Sequence, residues 1–232
     1  MSILAATGEA LALLAAGDPG LWGTIATTLA VAGAALAVAL PAAVLLAYAL
    51  AAGRFAGRRA ALLVLHALLG VPTVVVGLVL YLLLSSQGPL GALDLLFTPA
   101  AVALGQFLIA LPILTAFCHA SFEPDLQPLR EHARALGLGR LRTALLAVRE
   151  KRRGLASSAF AGFGRIVSEV GCALLVGGNI AGSTRTIPTA IALETGKGQF
   201  VEGIALGIVL LLLAACASLA FFWLTSKGSD GR

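Results

Sequence analysis

Residues 22–52 read WGTIATTLAVAGAALAVALPAAVLLAYALAA, 31 residues without one Asp, Glu, Lys or Arg. As a helix rising 1.5 Å per residue, such a run reaches about 46 Å, more than the roughly 30 Å hydrocarbon core of a bilayer, so it crosses with tilt. The whole chain has the same character. Of its 232 residues 59% are hydrophobic and 12% charged, with mean hydropathy +0.98, where ordinary soluble domains have about 45–50% and about 25%. No single water-soluble core of this size hides that much apolar side chain, so the excess faces lipid. A soluble enzyme, a disordered tail and a secreted disulfide scaffold are excluded. An all-α, polytopic membrane protein with little mass outside the bilayer remains.

Four further runs meet the length of a span: Ala60–Leu84 with Gly70 and Pro72, Phe97–Ala120 with Pro99 and Pro112, Leu155–Val176 with Arg165 and Glu169, and Ile204–Leu224 ending near Trp223. The prediction is five transmembrane helices. Residues 1–21 form an external N-terminal segment, in which Ile3–Ala16, with Glu9, is too short to span and lies at the interface. Residues 22–226 form the membrane domain and 227–232 a tail. No basic n-region opens the chain, which predicts no cleaved leader. Cys118, Cys172 and Cys216 sit singly in apolar runs and read as small core residues.

Orientation follows from the basic residues. The 53–59 connection (Arg54, Arg58, Arg59), the 121–154 connection and the C-terminal tail together carry thirteen Lys and Arg, and the 85–96 and 177–203 connections carry two, Arg185 and Lys197. The basic side is the cytoplasmic one, with the N-terminus outside and the C-terminus inside.

The connection 121–154 is long for so economical a chain. Asp125 is placed to cap a helix with Pro128 in its first turn. Leu129, Ala133 and Leu136 fall on one stripe, and Gly137 and Gly139 stop the helix. In the second segment, 141–154, Leu141, Leu145 and Val148 face one way, while Arg142, Arg149, Arg152 and Arg153 are free to meet lipid headgroups. The loop either enforces topology by charge or docks a partner with a short helix.

In the fourth span Arg165 lies about 15 Å from the inner end and Glu169 about 21 Å, where an isolated charge costs at least ~2.5–3.5 kcal/mol. They stand i, i+4 and neutralise one another, either as a structural pair at a packing or subunit interface or as part of a path. Gly164, Ser168 and Gly171 form an adjacent small-residue stripe. In the 177–203 connection Asn179, Ser183, Thr184, Arg185 and Thr186 gather amide, hydroxyl and guanidinium donors. They suit an oxyanion held without a deep well, and equally suit an ordinary solvated loop. Outside the spans, Arg185 attracts an anion toward the mouth. The apolar run Ile187–Leu193 dips into the bundle or packs on a partner.

Glu131-His132-Ala133-Arg134-Ala135-Leu136-Gly137 resembles the EAA-x-x-x-G segment of ABC importer permeases: Glu131, Ala133 and Gly137 agree, His132 replaces an alanine, and the family's later Ile-x-Leu-Pro has no counterpart at Ala147–Glu150. Gly162–Gly171 and Val176-Gly177-Gly178-Asn179-Ile180 resemble the molybdate, sulfate and tungstate branch of that family. The continuation Thr184–Thr195 is most similar to tungstate permeases. The resemblance implies the type I permease fold and a coupling helix carrying Glu131, His132, Ala133 and Gly137. It implies a homodimer in a bacterial or archaeal cell membrane, two cytoplasmic ATP-binding subunits and an external oxyanion-binding protein. Import of tungstate is implied, with molybdate or sulfate as the alternative cargo. A secondary anion transporter is the rival of a different class, but five spans leave no room for a repeated half. His66, His119 and His132 stand apart and form no metal set. No phosphate loop, hydrolase elbow or paired-carboxylate site is present, so neither a cofactor nor catalysis is expected. The basic residues track one membrane face without interleaved aromatics, which argues against nucleic acid.

Overall fold

The computed structural model describes residues 3–53 and 55–229; Arg54 and residues 230–232 of the expected tail lie outside the described residues. Among these the regular elements are all helices, with one 3-10 turn at Gly91–Leu93. The helices are α1 (Ile3–Ala16), α2 (Pro19–Ala52), α3 (Arg58–Leu69), α4 (Thr73–Leu84), α5 (Pro99–Phe122), α6 (Leu126–Ala135), α7 (Arg140–Glu150), α8 (Arg152–Val167), α9 (Gly171–Gly177), α10 (Ile187–Gly196) and α11 (Phe200–Ser229).

Three helices, α2, α5 and α11, are each long and apolar enough to cross a membrane unaided. The second and fourth expected spans are broken: α3 and α4 meet at 97° and α8 and α9 at 63°. The count of five holds only with each bent pair taken as one span. The first break is at Gly70-Val71-Pro72. Proline drives the residue before it out of the helical region, and Gly70 frees the backbone to turn. Pro41 and Pro112, without such a glycine, stay inside the continuous helices α2 and α5. At the second break the Ser168 hydroxyl bonds back to the carbonyls of Gly164 and Arg165 (3.2 and 3.1 Å), competing with the helix ladder.

Small residues set the packing. Ala32, Ala35, Ala39 and Ala43 of α2 are fully buried against Ala110, Leu114 and Ile166, so α2 and α5 approach closely. Cys172 at the start of α9 is wedged between two glycines. A Cβ on Gly77 of α4 would sit 2.7 Å from the Cys172 Cα, and one on Gly105 of α5 only 2.5 Å from its Sγ. Cys118 and Cys172 are buried as expected, whereas Cys216 is exposed. Leu45, Leu63, Val79, Leu82, Leu211 and Leu219 stand out from the bundle, the apolar surface that a bilayer covers. The N-terminal helix α1 packs on α11, with Ala10 buried beside Leu21, Ile25, Ala190 and Leu206.

Candidate functional site

The 121–154 connection folds into two helices, α6 and α7, tied to the ends of the spans. Arg130 donates to the carbonyl of Ala52, the last residue of α2, at 2.5 Å. Arg58 reaches Glu123 at 3.7 Å. Asp125 does sit at the N-cap of α6, but its side chain makes no capping bond. It is drawn instead to Lys151 at the far end of α7, a charged partner outbidding a backbone N–H. Leu126 joins Phe122, Ala147 and Leu155, and Ala133 is likewise buried.

The C-terminus of α6 closes as a Schellman turn. Leu138 N–H donates to the Ala133 carbonyl (2.9 Å), Gly137 N–H donates to Arg134 (2.9 Å), and Gly137 takes φ +71°. A Cβ on Gly137 would meet nothing within 4 Å, so the position demands glycine for its backbone angle alone. Glu131, His132 and Leu136 are exposed, and His132 Nδ1 lies 2.7 Å from the Pro128 carbonyl. The expected stripe therefore divides: Ala133 and Leu129 turn in, Leu136 turns out. In α7 the expected face divides, with Val148 packed on the bundle. Thr143 and Ala147 are buried, while Leu141 and Leu145 are exposed. The small side chains of Thr143 and Ala147 lie beneath α7, and Leu141, Leu145 and Leu136 are left exposed.

At the α8–α9 break Arg165 Nη1 donates to Glu169 Oε2 at 3.2 Å, with Arg165 44% exposed and Glu169 only 3%. The other carboxylate oxygen accepts from the Cys172 N–H at 3.1 Å, three residues on, which is the bond an N-cap makes. Glu169 thus lies beyond the end of α8, between the two half-helices, rather than on one continuous face. Ser168 is exposed beside it. Gln106 of α5, buried, donates Nε2 to the Ile166 carbonyl at 3.4 Å. As a lone amide in an apolar run, it was the available signal for a group supporting the break. The Arg165 guanidinium borders an apolar recess of about 420 Å³ walled by α3, α4 and α5.

The connection beyond α9 spends most of its donors on itself. Thr184 Oγ1 donates to the Gly177 carbonyl (2.5 Å) and accepts from Ile180 N–H (3.0 Å). Thr186 N–H donates to Thr189 Oγ1 (2.9 Å), and the Ile187 N–H to Thr28 Oγ1 of α2 (2.8 Å). Asn179 has φ +52° and donates Nδ2 to the Thr189 carbonyl (3.2 Å). Ser183 is half-buried, on the turn before these groups. Arg185 pairs with Glu194 at 3.8 Å, and Lys197 reaches the same buried carboxylate at 3.1 Å. Glu194 is the member of this cluster that sequence reasoning passed over; its acid, three residues before Lys197 in an apolar helix, was the signal. Arg185 borders a recess of about 250 Å³ that also holds Asp18, Glu194 and Glu202. The helix α10 buries Ile187, Pro188, Thr189 and Ala190 in the bundle.

No family model matches the chain. It is 47% identical over 208 residues to the tungstate uptake system permease protein TupB of Campylobacter jejuni, covering 90% of this chain and 87% of that one. It is 34% identical to the tungstate uptake permease of Peptoclostridium acidaminophilum over 205 residues, 88% and 90% of the two chains. To the molybdenum transport permease ModB of Escherichia coli K12 it is 30% identical over 194 residues, 77% and 82%. With apolar membrane helices, an anchored extramembrane helix pair and relatives matched along nearly their whole length, the chain belongs to the oxyanion branch of ABC importer permeases, subunits that transport rather than catalyse.

Proposed function

We propose that this chain is the membrane subunit through which tungstate enters a bacterial or archaeal cell, driven by ATP hydrolysis in a separate subunit. The observation that carries the substrate is the similarity to two tungstate permeases at 47% and 34% over about nine-tenths of the chain. Two copies form the path, each with residues 22–226 as the membrane domain. Two cytoplasmic ATPases dock on Glu131, His132 and the Gly137 turn, with Ala133 holding α6 to the bundle. The basic side faces inward, which puts the N-terminus outside and the C-terminus inside.

Arg165, Ser168 and Glu169 line the path or the contact between copies; the half-exposed guanidinium beside an apolar recess supports this reading. Asn179, Ser183, Thr184, Arg185 and Thr186 shape the outer mouth, with Thr184 and Thr186 as its scaffold. Around the outer recess Asp18, Glu194 and Glu202 outnumber Arg185 and the Lys197 that reaches Glu194, a net negative field that disfavours a free dianion. Delivery by a docked external binding protein, rather than capture from solution, suits that field.

The test reconstitutes permease, ATPase and external binding protein in liposomes. ATP hydrolysis is followed with the binding protein loaded with tungstate, molybdate or sulfate. Tungstate is expected to stimulate hydrolysis most; stimulation by molybdate or sulfate but not tungstate moves the chain to the neighbouring branch. A cation- or sugar-loaded protein stimulating while oxyanions do not would overturn the assignment.

A further inference from the structure

Between the end of α2, α6 and the first turn of α7 lies a recess of about 370 Å³, walled by Tyr48, Arg130, Arg134, Arg140 and Thr143 and lined by no carboxylate. Elsewhere the described basic side chains close to an acid find it: Arg58 with Glu123, Lys151 with Asp125, Arg165 with Glu169, Arg185 with Glu194. Arg130, Arg134 and Arg140 have no such ion pair among the described residues. Arg130 spends one N–H on the Ala52 carbonyl and retains its other donors. The N-terminus of α7, 11 residues long with Gly139 at its cap, carries no side-chain capping bond, so its positive end adds to the same field. Three guanidinium groups around one recess repel one another until an anion enters, and the planar fork of arginine suits a tetrahedral oxygen cluster. Tyr48, close to the end of a span, sets the recess at the level of the headgroups.

We propose that this recess is a binding site for a tetrahedral phosphate-type oxyanion, either the phosphodiester of an anionic lipid headgroup or a free anion of the same chemistry on the inner side. The guanidinium groups of Arg130, Arg134 and Arg140 hold it, and the Tyr48 hydroxyl donates to it. The site lies apart from the α8–α9 break and from the outer mouth, and it does not depend on which anion is transported.

The full-length chain is placed in phosphatidylcholine nanodiscs containing a minor share of phosphatidylglycerol, and retained lipid is read by native mass spectrometry. In discs of phosphatidylcholine alone, inorganic phosphate and tungstate are titrated by calorimetry. Arg134→Gln and Arg140→Gln are each expected to weaken retention or titration about tenfold, and R134K/R140K to fall between, since charge persists without the fork. Arg59→Gln, an exposed arginine outside the recess, is expected to behave as the unaltered protein. Loss in the phosphatidylglycerol arm alone identifies the lipid as occupant, and loss in the titration arm alone identifies the free anion. Equal behaviour of the unaltered protein and R134Q/R140Q in both arms, or an equal loss in R59Q, overturns the proposal. Both substituted arginines are exposed, and a monodisperse elution profile shows that the fold is kept.

Discussion

Replacing Glu169 separates two jobs that one buried carboxylate performs. Glu169→Gln keeps a carbonyl oxygen for the Cys172 N–H at 3.1 Å but removes the charge facing Arg165 at 3.2 Å. A hydrogen bond to a charged group contributes about 1.5–3 kcal/mol. Arg165 is 44% exposed, and solvent screening takes part of this, leaving about 1–2 kcal/mol for the ion pair. Glu169→Ala loses the same pair and also strands the Cys172 N–H in the interior, about 1–3 kcal/mol more. The assay is unfolding of the purified protein by dodecyl sulfate, followed by far-ultraviolet circular dichroism, for E169Q, E169A, R165Q and R165Q/E169Q. The expected order is unaltered protein, then E169Q, then E169A. The double variant should be less destabilised than the two single losses added together, by about 1–2 kcal/mol of coupling. A coupling near zero, or E169A no worse than E169Q, would show that the carboxylate neither pairs with Arg165 nor caps α9.

Gly105→Ala should destabilise the bundle by about 1–3 kcal/mol through its clash with Cys172 Sγ, and Cys172→Ala should relieve it. Gly77→Ala meets backbone at the Cys172 Cα, so the same second substitution should leave its thermal unfolding as poor as before. Gly137→Ala has free space but must hold φ +71°, a strain of about 1–2 kcal/mol; it should lower ATP-coupled uptake in reconstituted liposomes while the permease still inserts, and uptake equal to that of the unaltered protein would count against the turn's role in coupling. For orientation, S86C and L141C in a Cys216→Ala background, which removes the exposed native thiol, should label differently in intact cells: an impermeant maleimide should reach position 86 and not 141, and the opposite pattern reverses the topology.

Much of the architecture was legible in composition alone. A run such as 22–52 has no soluble solution, because the hydrophobic effect acts on side-chain type regardless of contacts. The spacing of glycines and the position of Pro128 likewise placed α6 and its stop, since a positive φ at Gly137 is a local property. Periodicity told only part of the story at α7, where of Leu141, Leu145 and Val148, read as one face, only Val148 packs on the bundle. Burial there is decided by the space the spans leave beneath the helix, and that space takes Thr143 and Ala147.

What the sequence determined by itself is the apolar character of the spans, the unequal share of Lys and Arg among the connections and the helix ends set by glycine and proline. These depend on residue type and nearest neighbours. Tertiary structure alone decided which polar groups are spent and which remain. Thr184 and Thr186 read as free donors in the linear chain, yet Thr184 bonds backbone and Thr186 is bound to Thr189, and Glu169, expected to pair with Arg165, also accepts from the Cys172 N–H. Arg134 and Arg140 read as ordinary loop charges, yet they meet across one recess without a counter-ion among its lining residues. Hydrogen-bond partners 78 or 159 residues apart, as for Arg130 with Ala52 and Ile187 with Thr28, leave no trace in local pattern, because they are made only when the helices have packed.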